Sequence, residues 1–185
     1  TEDIVPFGAD PGDYHQFTGE KAAGLRISNF ISHRKEILMW NLHCRAFEDV
    51  PVKLVGHNDD MNGVSASEDW NDLKHKLSIH RFYIHTAHPK LEDGYNMSTL
   101  EAMAAGMPVI GNRNPSSPIE HGISGFLSDS PEELNRYAKL LLNDRALAVR
   151  MGQAAKRTVN EKLSLNHFRE GILRSIETAR EKAEN

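Results

Sequence analysis

The residues best suited to chemistry lie in one stretch, "LEDGYNMSTLEAMAAGMPVIGN" at positions 91–112. There two carboxylates, Asp93 and Glu101, flank a glycine turn and the start of a helical pattern. Met97, Leu100, Met103 and Ala104 recur at helical spacing, with Ser98 and Thr99 placed to cap the first turn. Gly106 ends the pattern and Pro108 opens an extended run, so the stretch reads as loop, helix 98–105, turn and strand 108–111. The first N–H groups of such a helix, at Asn96 to Thr99, have no partner within it and carry partial positive charge. They form an anion site of the kind phosphate commonly fills, and Gly94 lets backbone approach a ligand closely. Glu101 would repel a phosphate and is better suited to accept hydrogen bonds from a neutral diol such as a ribose, with Asp93 facing another part of the same ligand. The spacing fits equally well two solvated acids favoured by the helix dipole.

The elements that must position this turn alternate along the chain. A strand is expected at 25–31, then a helix over 34–48 with Ile37, Leu38, Leu42, Ala46 and Phe47 on one face. A short buried strand at 52–55 ends at Gly56, a polar loop covers 59–63, and Asp69 caps a helix over 70–77. "RFYIHTA" from Arg81 is aromatic and β-branched enough for the next strand, and 125–127 adds a short one. Ser130, Pro131 and Glu133 mark a helix start, and two further helices follow at 144–159 and 164–183. Strands separated by helices imply an α/β domain, a doubly wound parallel sheet with helices on both faces. Ligands in such sheets bind beyond the carboxyl ends of the strands, here the loops after Phe30, Val55, Thr86 and Ile110.

Composition narrows the partners. The 185 residues fit one domain, and 26 acidic against 22 basic side chains give a formal charge of −4, with no basic excess for nucleic acid. No apolar run reaches the roughly 20 residues that span a bilayer, and the first residues lack signal-peptide character. The single Cys44, read as a small buried hydrophobe, forms no internal disulfide, which points to a reducing, cytoplasmic setting. His75, His80, His85 and His88 match no common zinc spacing and are read as surface or strand-edge histidines, so no metal is expected. Trp40 and Trp70 are read as packing residues. Lys139, Arg145, Arg150, Lys156 and Arg157 form a basic stripe read as a solvated face, with membrane or partner docking as the other reading.

"DGYNMSTLEAMAAGMPVIGN" closely resembles the donor-site segment of the family 4 retaining GT-B glycosyltransferases, Glu-Gly-Phe-Gly-Leu-x-x-Leu-Glu-Ala-Met-Ala-x-Gly-x-Pro-Val-Ile, with its Glu-x7-Glu motif. Asp93 matches the first glutamate, Gly94 and Tyr95 the glycine and aromatic, Asn96 the second glycine, and Glu101 the second glutamate. "IVPFGADPGDYHQF" resembles that family's linker into its C-terminal domain, and "PIEHGISGFLSDSPEELNRYAKLLLND" its downstream glycine segment. The resemblance covers almost the whole chain. It implies one Rossmann-like half of a GT-B fold, with a linker-derived leading loop at 1–24 and a terminal helix at 164–185. The acceptor-binding half of the enzyme would lie upstream.

The resemblance also implies roles. Glu101 would bind the nucleotide ribose, and Asp93, one methylene shorter than glutamate, the donor sugar, with Glu92 as a substitute if the loop register shifts. The amides of Asn96, Met97 and Ser98, helped by Thr99, would hold the distal phosphate. The family's basic pair, Gly-Arg-x-x-x-x-Lys-Gly, falls on "SNFISHRKE", so Asn29 stands where arginine is expected and Arg34 where lysine is expected. One of two cations is therefore lost unless His33 or Lys35 supplies it. The segment between Gly56 and Phe82 is also short, lacking the family's Val-x-Phe-x-Gly strand, so no residue is assigned to the base. The expected function is nucleotide-sugar binding for transfer to an acceptor, without metal or other cofactor. The rival expectations are half of a nucleotide-sugar epimerase and a non-catalytic assembly module.

Overall fold

The computed structural model describes residues 4–92 and 94–184. Its middle is a parallel sheet of β1 (Lys21–Ile27), β2 (Val52–Val55), β3 (His80–His85), β4 (Val109–Gly111) and β5 (Gly125–Leu127), in the order β2-β1-β3-β4-β5. The helices are α1 (Trp40–Ala46), α2 (Trp70–Ile79), α3 (Met97–Ala105), α4 (Pro131–Asn143), α5 (Arg145–Lys162) and α6 (Leu165–Glu184). This is the doubly wound α/β architecture that the alternation of elements implies. Strand order reverses between β1 and β3, so the loops leaving those strands diverge and open a crevice at the carboxyl edge of the sheet.

Alternation along β3 divides the core into two layers. Tyr83 faces one way and packs with Leu25, Leu100, Met103 and Val159. Phe82 and Ile84 face the other way, with Ile110, Phe47, Leu134 and Leu141. β3 is the middle strand and all six of its residues are buried. His80 and His85 are therefore interior rather than strand-edge residues, and the His80 Nδ1–H bonds to the Lys76 carbonyl at 2.7 Å.

Several boundaries differ from the sequence expectations. β1 begins at Lys21, inside the expected leading loop, because Ala22, Ala23 and Gly24 carry little hydrophobic signal; a Cβ on Gly24 would strike the Phe82 ring. β1 also ends at Ile27, after which Asn58 pins the chain by accepting from Ile31 N–H and donating to the Ser28 carbonyl, both at 2.8 Å. The helix expected over 34–48 is two pieces. One helical turn starts at Arg34 and closes on itself at Met39, which adopts φ 45°; Met39 N–H bonds to the Glu36 carbonyl and Trp40 N–H to the Lys35 carbonyl before α1 starts. That is the bonding of a left-handed helix stop, formed without the usual glycine.

Cys44 is exposed on α1, and its neighbour His43 is the buried residue, stacked on Trp40 at 4.4 Å. In place of the strand absent between Gly56 and Phe82, a lone bridge joins Val55 to Ser65. The basic stripe is split, for Lys139 pairs with Asp49 at 2.6 Å while Arg145 donates to the Thr18 carbonyl at 2.8 Å on another side. No helix among the described residues is long and apolar enough to cross a membrane.

Candidate functional site

The site forms where the chain leaves β3 and enters α3. Asn96 has extended backbone and its Oδ1 accepts from the Thr99 N–H at 2.9 Å, so Asn96, not Ser98 or Thr99, is the cap. Thr99 Oγ1 also donates to Asn96 Oδ1, at 3.0 Å, and Thr99 is fully buried, which leaves it no donor for a ligand. Met97 and Ser98, the first two helical residues, keep amides with no acceptor inside the helix. The first turn of α3 holds no acidic residue. By contrast α2 carries Asp69 and Asp72 at its start, α4 carries Glu132 and Glu133, and α5 is capped by Asp144.

The turn before α3 is held from the side by the loop after β4. Gly94 N–H donates to Ser116 Oγ at 2.7 Å, and Asn114 Nδ2 donates to the Glu92 carbonyl at 3.1 Å. A Cβ on Gly94 would run into the Ser117 backbone, so glycine is required here by the approach of two loops rather than by a ligand. Asn112 ties the exits of β3 and β4 together, accepting from Ala87 N–H at 2.8 Å and donating to its carbonyl at 2.9 Å. Sequence reasoning missed Asn112, Asn114 and Ser116. Their signal is the density of Asn and Ser in "GNRNPSSP", just past a strand at the ligand-binding edge.

Above this turn lies a cavity of about 930 Å³, lined by Arg34, Ile37, Glu92, Tyr95, Asn96 and Met97 and walled by Ile4 to Phe7 and Pro118. Arg34 Nη2 meets Glu92 Oε2 at 3.0 Å, with side chains 38% and 20% exposed. Such a half-exposed pair contributes about 0–1 kcal/mol.

The other expected residues lie elsewhere. Asn29 is not on the cavity wall, and its Oδ1 accepts from His57 N–H at 2.9 Å, toward β2. Glu101 is half-buried one turn into α3, and burial pushes its carboxyl above the ordinary range. Its charge reaches Tyr14, whose phenol is raised first by burial and then by Glu101, and Tyr83, whose phenol burial pushes up to about 12. Tyr14 meets Trp70 edge-on at 5.7 Å, beside the start of α2. Asp93 lies outside the described residues. The structure thus brings Arg34, Tyr95, Asn96 and Met97 to one cavity, with Gly94 and Ser98 in the same turn but not on the cavity wall, Glu101 one turn into α3 and also off the wall, and Asn29 apart. Among the described residues no group of three or more His, Cys, Asp or Glu is placed to hold a metal ion.

A family model described as glycosyl transferases group 1 matches residues 56–158, more than half of the chain and the whole of the turn just described. The chain belongs to this family. Solved structures of similar fold include TarM of S. aureus, with a TM-score of 0.66 and 17% identity over 92% of this chain and 37% of that one. HepE of Anabaena, crystallised with UDP-glucose, gives a TM-score of 0.71 and 14% identity over 92% of this chain and 56% of that one. Sucrose-phosphate synthase of Thermosynechococcus elongatus gives 0.69 and 14% over 98% and 53%. These likenesses establish the shared fold, and the chain spans about a third to just over half of those proteins' lengths. No curated protein sequence matches it. In the glycosyl transferases group 1 frame, the turn between β3 and α3 is the segment that carries the Glu-x7-Glu resemblance.

Proposed function

We propose that this chain is the nucleotide-sugar-binding domain of a retaining glycosyltransferase, one that moves a sugar from a nucleoside diphosphate to an acceptor. In this reading it is inactive without an acceptor-binding half of the same enzyme, works in the cytoplasm and needs no metal. The observation that carries the proposal is the start of α3, whose amides are unopposed by any acid of its own first turn and which shares one cavity with Arg34 at the switch point of the sheet. Membership of the glycosyl transferases group 1 family and the UDP-glucose bound by HepE support it.

Each residue then has a task. Arg34 and the amides of Met97 and Ser98 hold the diphosphate, and Tyr95 walls the pocket. Glu101 accepts from the ribose diol, and Asp93 takes the sugar contact that the motif assigns it. As the bond between sugar and diphosphate breaks, negative charge grows on the departing oxygen, and Arg34 with the helix amides stabilises it. Calorimetry with UDP, GDP and ADP is expected to give binding to at least one, without transfer by this chain alone. No heat from any of them at millimolar concentration removes the donor-site reading.

A second reading, a binding module that has lost its chemistry, draws on Asn29, whose side chain is committed to the His57 amide where the family has a cation. Asn29→Arg is expected to tighten diphosphate binding by about 1–3 kcal/mol if the remaining pocket is intact. Failure of both wild type and this variant to bind any of the three nucleotides favours the assembly module, since Asn29 itself stands off the cavity wall.

A further inference from the structure

A second guanidinium, behind the segments that bear Arg34 and Glu92, does not line the cavity. Arg26, on β1, is 2% exposed. Its Nη1 donates to Thr86 Oγ1 at 2.7 Å, its Nη2 to the Leu38 carbonyl at 3.1 Å and the Thr86 carbonyl at 3.4 Å, and its Nε to Ser28 Oγ at 3.4 Å. The guanidinium carbon stands 5.3 Å from the centroid of the Trp40 ring. None of these partners is an acid. Burial brings the guanidinium down to about 10, so it stays charged at neutral pH, with Glu92 among the groups whose charge favours it. A buried charge met only by neutral groups is costly, and a core staple needs none.

What the partners share is their place in the chain. Leu38 closes the single helical turn that begins at Arg34, its N–H bonding to the Arg34 carbonyl at 2.9 Å. Because Met39 turns left-handed there, the Leu38 carbonyl leaves the helix and accepts from Arg26 and from Thr86 Oγ1, the latter at 2.7 Å. Thr86 is the exit of β3, from which the chain runs to Glu92. His88 N–H bonds to the Ile37 carbonyl at 2.8 Å, joining the same two segments. Arg26 is therefore the joint between the segment that bears Arg34 and the segment that bears Glu92 and α3.

We propose that Arg26 is a positioning residue for the anion site: its planar fork holds the Arg34 turn at the offset from the β3 exit that sets Arg34 opposite the mouth of α3. The ligand half of this rests on the donor-site reading above. A staple that merely stabilises the fold would affect binding the same way whether or not Arg34 is present.

The test is a double-mutant cycle, with UDP affinity measured by calorimetry on wild type, Arg26→Met, Arg34→Ala and the double variant. Arg26→Met is expected to weaken UDP about tenfold when Arg34 is present and less than about twofold when it is absent. Arg26→Lys keeps the charge without the fork and is expected to behave like Arg26→Met. Equal losses in both backgrounds, or an Arg26→Lys chain that binds as wild type does, overturn the proposal. Should Arg26→Met not fold, Thr86→Val removes the hydroxyl shared by Arg26 and Leu38 and is expected to give the same pattern at about threefold. A ligand-free arm follows the Arg34 Nε–Hε resonance: Glu92→Gln moves it in wild type and leaves it unmoved beside Arg26→Lys. An equal movement in both overturns the positioning role. If wild type binds GDP or ADP and not UDP, the cycle is run with that nucleotide; if it binds none of the three, the donor-site reading falls, and this second arm alone decides Arg26.

Discussion

α2 and α3 each follow a polar loop on the same layer of the sheet, and each starts with a side-chain oxygen accepting from the third helical amide, at 2.8 Å from Asp69 and 2.9 Å from Asn96. Their charges differ. Asp69 and Asp72 sit at the positive end of α2, whereas α3 has a neutral cap and no acid in its first turn. An acid there is worth about 0.3–1 kcal/mol to the helix, so α2 takes that stabilisation internally and α3 forgoes it. The fold supplies comparable dipoles at both places, and the side chains decide which one remains open to an external anion. Only the mouth of α3 also has Arg34 beside it, in a shared cavity.

Removing that cation breaks the contrast most severely. Arg34→Ala is expected to cost about 1.5–3 kcal/mol of UDP affinity, measured by calorimetry, with little loss of stability because the ion pair it ends is half-exposed. Asn96→Asp makes α3 resemble α2. The carboxylate is an equally good cap and a better partner for the dipole, so thermal stability is expected to hold or rise while UDP affinity falls by about 1–2 kcal/mol. A variant that lost both together would show that the cap acts through folding alone.

Glu101 sharpens the contrast by pH. Its carboxyl is raised by burial, so the folded chain binds its proton more readily than the unfolded chain, and ionising it costs stability. That cost is absent below the ordinary carboxyl value of 4.5 and sets in as pH rises through the raised value. Glu101→Gln is therefore expected to stabilise the ligand-free chain at neutral pH in urea titrations, with the gain fading toward pH 4.5, while weakening a ribose-bearing ligand more than inorganic pyrophosphate.

Local signals were legible where the cause is local. The start of α4 follows from Ser130, Pro131 and Glu133, and the end of α3 from Gly106, which takes φ 85°. The doubly wound fold and the α3 turn follow from the alternation of patterns and the Glu-x7-Glu resemblance. What could not be read depends on partners far along the chain. The stop at Met39 goes with a carbonyl at Leu38 claimed by Arg26 and Thr86, 12 and 48 residues away. The need for glycine at position 94 comes from Ser117, and Asn29 is turned aside by His57. Arg26 itself looks like an ordinary polar residue in a strand, because nothing near it in the sequence says that β1 is flanked on both sides.

The central claim, that the mouth of α3 and not that of α2 receives the diphosphate, is tested most directly by following backbone amide resonances during a UDP titration. The account predicts saturable shifts at Met97 and Ser98 together with the Arg34 side chain, and none at Trp70 and Asn71 in the first turn of α2. Shifts centred on α2, or shifts of α3 that persist undiminished in Asn96→Asp, would contradict it.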